Sequence, residues 1–472
     1  MSNSIITSLC WIKKNWAKSI PLEYETVNDE KFNKVKKLSS TLKQTGKLKG
    51  TETIKESTQI IEDNIDMEID NDDNKPMPVF CEDLNRFYND SAPQKEDGYP
   101  DQFDDISDED EDDFTIHPKD NLIACGTAQD DYSNMEIYVF DEDTMSLYVH
   151  HDIVLTNFPL CLEWLPYKNN QKANYAIVSS FTPEIDIWNL DILDVLEPEI
   201  ILGKSINEPL DKDYNHLGAI ISINLNPLSN DCLASGGDDG KVLLWDLNST
   251  PNKAARMFKV HTDKVQSVKW NKSECNILAS ASFDKTIRMF DIRQNNNSCS
   301  SINVHSDIEC IDWSLMNKFH LLSSYENGRV DVFDLRMGGN LLSFQAHKKE
   351  ATSVAFSPQQ QSLFVSVGRD SRVKIWDMEN TTTDSEGNIM PGIIMEKTVK
   401  KSIGELFCAK FADDCDYTIA VGGSKGELLI WQLEESPVFC SRYGLKYDDE
   451  VNMEDKYVNL NKKKKLSNRK KK

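Results

Sequence analysis

The chain has 472 residues, with 78 acidic against 53 basic side chains, a net charge of −25 and 39% hydrophobic residues. Such a length allows two to four domains, while the low apolar content implies that part of the chain does not bury itself. No apolar run approaches the roughly 18 residues of a membrane span, and the eleven cysteines form no Cys-x-x-Cys pair, so free thiols in a reducing compartment are expected rather than zinc sites or disulfides.

Residues 1–49 precede any repeated pattern. Cys10-Trp-Ile-Lys-Lys-Asn-Trp-Ala-Lys18 sets Trp11 and Trp16 in a basic stretch. Tryptophan is enriched at binding hot spots, so the pair reads either as anchors for a partner or as a segment folding back on the chain's own core. Asn28 is placed to cap a helix reaching about Gly46, with Phe32, Val35, Leu38 and Leu42 on one face. One narrow stripe does not hold an isolated helix together, so those four side chains also call for a packing partner.

Residues 50–113 are expected to be a disordered acidic linker, since 62–113 carry 21 acidic and 3 basic residues. Ser107, followed by Asp108, Glu109 and Asp110, resembles an acid-directed phosphorylation site.

From residue 114 to 444 the chain repeats itself. Seven β-rich segments end in an aromatic and a polar residue: 137–141, 185–189, 242–246, 287–291, 330–334, 373–377 and 428–432, at intervals of 48, 57, 45, 43, 43 and 55 residues. A four-stranded propeller blade repeats every ~40–45 residues. Upstream, His216, His261 and His347 each lead an alternating strand, and small-residue turns such as Gly237-Asp-Asp-Gly240 join two further strands. Those glycines precede a strand rather than a helix, which speaks against a phosphate loop.

These features resemble the WD40 family, whose blades carry a buried His, Ser/Thr, Asp, Trp hydrogen-bond chain. His216, Ser235, Asp239 and Trp245 match it in the third repeat, and His347, Ser366, Asp370 and Trp376 in the sixth. In the fourth, His261, Ser280 and Asp284 are present but Phe290 replaces the Trp; in the fifth, His305, Ser323 and Asn327 precede Phe333. Repeats one, two and seven lack the set and are expected to be irregular. Because the His, Ser and Asp recur at equivalent positions and have partners in one another, they read as structural rather than as a catalytic triad. The expected fold is all-β: a single seven-bladed WD40 β-propeller with an acidic N-terminal extension and a basic tail. Phe114–Ile116 would be a short first strand, with ring closure by either terminus left open.

His150-His151-Asp152 could suggest a metal, but adjacent strand residues face opposite sides, which favours a structural role. In the 445–472 tail, Lys462, Lys463, Lys464, Lys465, Arg469, Lys470, Lys471 and Lys472 form a polycation suited to nuclear import or to salt-sensitive RNA phosphate contacts. It lacks interleaved aromatics, so any RNA contact would be sequence-independent.

Asp120-Asn-Leu-Ile-Ala-Cys-Gly126, Tyr148-Val-His-His-Asp152 and Trp188-Asn-Leu-Asp-Ile-Leu-Asp-Val-Leu-Glu-Pro198, together with Cys10-Trp11, resemble the periodic tryptophan protein family of nucleolar WD40 proteins. The resemblance implies a nuclear, nucleolar, non-catalytic scaffold in ribosome production, with ribosome assembly factors and the pre-ribosomal particle as partners. It implies no cofactor, metal, membrane or small-molecule substrate. The alternatives are a chromatin protein binding histones, and a substrate receptor of a cullin-type ubiquitin ligase, the latter from Phe290-Asp-Ile-Arg293 and Phe333-Asp-Leu-Arg336.

Overall fold

The computed structural model describes residues 4–23 and 115–445, apart from 130–131, 143, 169–170, 205–213, 250–252, 295–298 and 384–388. The chain divides into one unit of residues 1–24 with 114–472 and a second of 25–113. That second unit, with Phe32, Val35, Leu38, Leu42 and Ser107, lies outside the described residues, as does the tail from 446.

The first unit is a seven-bladed antiparallel propeller, as the WD40 resemblance implied. Its inner and third strands alternate inward and outward side chains, while second strands such as Leu363–Gly368 and Thr418–Gly423 are buried at every position, as strands covered on both faces are. Blade 1 consists of β1 (Ile5–Ile12), β3 (Asn121–Ala128), β4 (Ser133–Asp141) and β5 (Ser146–Leu155). Blade 2 has β6 (Pro159–Lys168), β7 (Gln171–Ser180), β8 (Ile185–Asn189) and β10 (Ile200–Leu202). Blade 3 runs from β11 (Ile220–Leu225) through β12 (Cys232–Gly237) and β13 (Lys241–Asp246) to β14 (Arg256–Lys259). In blade 4 these become β15 (Val265–Trp270), β16 (Ile277–Ser282), β17 (Thr286–Asp291) and β18 (Cys299–Asn303). Blade 5 holds β19 (Ile308–Trp313), β20 (His320–Tyr325), β21 (Arg329–Asp334) and β22 (Gly339–Gln345). Blade 6 holds β23 (Ala351–Phe356), β24 (Leu363–Gly368), β25 (Arg372–Thr383) and β26 (Ile389–Thr398). Blade 7 has three strands, β27 (Leu406–Phe411), β28 (Thr418–Gly423) and β29 (Leu429–Gln432), followed by a 3-10 turn (Leu433–Glu435) and helix α1 (Pro437–Tyr443). The seven repeated segments fall on the third strand of each blade.

Two expectations about the ends need correction. Residues 4–23 are not a docking segment outside the propeller: β1 is the innermost strand of blade 1, and β2 (Leu22–Glu23) pairs in parallel with β9 (Ile192–Leu193) of blade 2. Residues 115–117 form no strand; Ile116 instead donates its amide to Ser19 O, joining the two parts of the chain. The first blade is therefore assembled from pieces either side of residues 24–114. Its strand pairing is physically sound because β1 carries the apolar alternation, with Ile6, Leu9, Cys10 and Ile12 buried.

Candidate functional site

The seven innermost strands share a hexapeptide frame. Ile6-Thr-Ser-Leu-Cys-Trp11, Pro159-Leu-Cys-Leu-Glu-Trp164, Val265-Gln-Ser-Val-Lys-Trp270 and Ile308-Glu-Cys-Ile-Asp-Trp313 show it most clearly. Each of the seven is bulged after its first residue: Ile6/Ser8, Pro159/Cys161, Ile220/Ser222, Val265/Ser267, Ile308/Cys310, Ala351/Ser353 and Leu406/Cys408. A bulge adds one unpaired residue and turns the strand. Here it gives every third residue of the frame, always Ser or Cys, the same place around a central cavity of about 330 Å³. Small side chains let the strands approach the axis, and hydroxyls then tie blades together. Ser222 Oγ accepts the amide of Val268 at 3.2 Å, Ser267 Oγ that of Ile311 at 3.4 Å, and Ser353 Oγ that of Ala409 at 3.4 Å.

The fifth residue of the frame is Cys10, Glu163, Asn224, Lys269, Asp312, Ala355 or Lys410. Glu163 Oε1 lies 3.4 Å from Lys269 Nζ and 3.5 Å from Lys410 Nζ and accepts from Asn224 Nδ2 at 3.0 Å. One carboxylate from blade 2 is thus reached from blades 3, 4 and 7. Burial would raise the Glu163 carboxyl, but Lys410 and Lys269 outweigh it and hold it below the usual range. Burial opposes the charge on both lysines as well, yet Glu163 keeps each above its ordinary value. The ion-pair cluster occupies the bore, and its charges are stabilised by being mutual.

The sixth residue is aromatic in six strands. Trp270 and Trp313 donate their indoles to the main-chain oxygens of Asn224 at 3.1 Å and Lys269 at 3.0 Å, each in the preceding blade. Trp11 makes the same bond to Lys410 O at 3.2 Å. Trp16 donates to Pro166 O and Ala173 O at 3.0 and 2.7 Å and meets Trp164 and Tyr167 edge-on at 5.3 Å. Trp11 and Trp16 both make their indole hydrogen bonds within the propeller. The signal that places Trp11 is its hexapeptide frame, which recurs in the later blades.

The His, Ser and Asp side chains meet at the top of the blades. His216 Nδ1 and Nε2 lie 3.0 and 2.8 Å from Asp239 and Ser235, and Trp245 Nε1 donates to Ser235 Oγ at 2.8 Å. His347 lies 2.9 and 2.7 Å from Asp370 and Ser366, whose hydroxyl accepts from Trp376 at 2.8 Å. His261 lies 2.9 Å from Asp284 and 2.6 Å from Ser280, without an indole. Burial raises the carboxyls of Asp239 and Asp370, but their histidine bonds prevail and hold both below the ordinary range. All three imidazoles are buried, and both ring nitrogens of each are engaged within the blade. In blade 5 the chain is broken: His305 is exposed and Ser323 Oγ is buried with no partner among the described residues. Asn327 supplies no carboxylate to orient the ring, and the blade instead buries a Tyr325 to Asp331 hydrogen bond of 2.8 Å.

On the same face, Ser306, Glu326, Asn327, Lys349, Glu350, Arg369 and Glu405 line a groove of about 530 Å³ across blades 5 to 7. Arg369 pairs with Glu350 at 2.7 Å and Lys349 with Glu405 at 3.0 Å. Burial and the neighbouring Glu350 raise the carboxyl of Glu309 beneath it. The rim thus carries three carboxylates, two of them paired within it.

The His150 and His151 rings do not face opposite sides, as strand alternation predicts. Ile137 pairs with His151 and Tyr138 with Val149, so His150 is a bulge residue and the two Nδ1 atoms lie 2.8 Å apart. That is a hydrogen-bond distance; two nitrogens on one tetrahedral zinc, each bonded at about 2.0–2.1 Å, would stand about 3.3 Å apart. Among the described residues no group of three or more metal-ligating side chains occurs. Arg293 and Arg336 each clamp the aspartate two residues before them, Asp291 and Asp334, with N–O distances of 2.6 Å. Both arginines thus close the turns that follow their strands while their side chains stay exposed.

A seven-bladed ring with an ion-pair cluster in its bore, internal His-Ser-Asp-Trp chains and a charged rim defines a WD40 propeller. Two family models match, the WD domain, G-beta repeat over residues 338–377 and the WD40 domain of anaphase-promoting complex subunit 4 over 223–317. The periodic tryptophan protein 1 homolog of Drosophila melanogaster is 31% identical over 68% of this chain and 70% of its own length. An uncharacterized WD repeat-containing protein of Schizosaccharomyces pombe is 28% identical over 97% of this chain and 94% of its own. Periodic tryptophan protein 1 of Saccharomyces cerevisiae is 28% identical over 69% and 65%. The chain belongs to the periodic tryptophan protein 1 family.

Proposed function

We propose that the protein is a non-catalytic nucleolar scaffold of ribosome biogenesis, acting in ribosomal RNA processing and assembly of the large subunit. Its family membership carries this reading. The rigid propeller supplies loops and a charged rim for assembly factors, and the polycation at Lys462–Lys472 supplies sequence-independent contact with RNA phosphates or an import receptor. In sucrose gradients the protein is expected to sediment with large pre-ribosomal particles, and its depletion to cause ribosomal RNA precursors to accumulate. Absence from those particles, together with normal processing after depletion, rejects the reading.

The carboxylates of the upper rim favour a second reading, a chromatin protein that binds lysine-rich histone tails. Recovery of histones without ribosome assembly factors from nuclease-treated extract would replace the first reading with this one.

A further inference from the structure

In six blades a fourth strand covers the outer edge of the third; among the described residues β29 of blade 7 pairs with β28 alone. Leu433 donates its amide to Tyr417 O. Antiparallel alternation then turns the amides and carbonyls of Ile430 and Gln432 away from β28. The two amides and the carbonyl of Ile430 have no hydrogen-bond partner among the described residues, and Gln432 is the N-cap of the 3-10 turn. A short open edge of this kind is a template for another strand. Yet the sheet it belongs to is well buried, with Leu429 and Trp431 packed in the same cluster as Phe439 of α1.

We propose that residues 456–461 of the same chain, Lys-Tyr-Val-Asn-Leu-Asn, return to β29 as the missing fourth strand. Three observations select this occupant. The outer strands of blades 3 to 5 run into an apolar, polar, apolar triplet whose last member lies one residue past the strand: Phe258-Lys-Val260, Ile302-Asn-Val304 and Phe344-Gln-Ala346, whose apolar members pack into the blade cores. Val458-Asn-Leu460 reproduces it. The route is short, because Leu445 still packs on the blade 6 and 7 cluster just after α1. The eleven residues from 446 to 456 extend up to about 36 Å, several times the ~4.8 Å between neighbouring strands. The direction also fits. β29 descends from the upper face, so an antiparallel neighbour entering from α1 rises and delivers Lys462–Lys472 to the rim that carries Glu350 and Glu405. Covalent tethering gives this strand an effective concentration that an outside peptide lacks.

Single-residue hydrogen exchange on the purified full chain tests the assignment. The amides of Ile430 and Gln432 are expected to exchange at least ~100-fold more slowly in the full chain than in a chain ending at residue 445. Substituting V458D and L460D in the full chain should abolish that protection while β27 and β28 stay protected, and a peptide of residues 453–463 added to the shortened chain should restore it. Equal exchange in the full and shortened chains overturns the proposal. So does protection that survives V458D with L460D, or protection that disappears on dilution, which would make the strand come from a second copy.

Discussion

Trp11 donates its indole to the main-chain oxygen of Lys410 across 399 residues of sequence. This bond sits at the seam between blades 7 and 1, where the ring's first and last inner strands meet. Trp11→Ala removes the bond and the ring packed on the cluster of Ile6, Leu9, Ile123 and Ala420, and is expected to destabilise the propeller by about 2–4 kcal/mol. Trp11→Phe, keeping most of the packing, should cost about 1 kcal/mol. Urea unfolding of the two variants measures both; a Trp11→Phe variant as stable as the parent would show that the hydrogen bond contributes nothing.

Trp188 and Trp245 occupy equivalent third-strand positions with opposite outcomes. Trp245 donates to Ser235, whereas in blade 2 Val178 holds the place of Ser235, two residues along from Ala176, which pairs with Trp188, and the buried Trp188 indole has no partner among the described residues. Trp188→Phe should therefore be neutral or slightly stabilising, while Trp245→Phe should cost about 1–2 kcal/mol. Val178→Ser supplies the missing hydroxyl, and should make the Trp188→Phe change costly in that background. Thermal melts of the set decide it.

Glu163 holds two lysines together in the bore. Glu163→Gln leaves Lys269 and Lys410 facing one another, and a loss of about 2–4 kcal/mol is expected. The companion change Lys410→Met in the same chain should recover a large part of it. A Glu163→Gln variant as stable as the parent at low and high salt would mean that channel water screens the cluster fully.

Burial and the adjacent His150 push His151 down to about 4 from its ordinary 6.5. The folded state therefore resists a proton that the unfolded chain accepts. Stability contributed by neutral His151 is complete above pH 6.5 and is lost as pH falls from 6.5 towards 4, by on the order of a hundredfold in the folding constant. Burial lowers His261 and His320 as well, in the same direction. His151→Phe should flatten part of the acid limb between pH 7 and 4.5 in urea midpoints, leaving the remainder to the other two.

The seven third strands were legible because each closes on an aromatic and a polar residue, and the His-Ser-Asp-Trp spacing is rigid enough to be read from numbers alone. Blade 1 was harder. Its inner strand is separated from β3 by residues 13–120, so local spacing gave no hint, although Ile6-Thr-Ser-Leu-Cys-Trp11 matches Val265-Gln-Ser-Val-Lys-Trp270 position by position. The His150 bulge was invisible for a different reason: a one-residue insertion leaves no mark in composition, and only its pairing with Ile137 and Tyr138 shows it. The bore cluster of Glu163, Lys269 and Lys410 joins residues 106 and 247 positions from the glutamate, a proximity that only ring closure creates.

The seam has a consequence for how the chain is made. β1 leaves the ribosome ahead of the other described strands, but its neighbour β27 ends at Phe411, about 400 residues later. At translation rates of about 5–20 residues per second the first strand waits roughly 20–80 seconds for the last blade. Throughout that interval the nascent ring is an open arc with apolar flanks on both terminal blades, and it has to be kept from its neighbours on the polysome. The strand synthesised first is the one that closes the ring last.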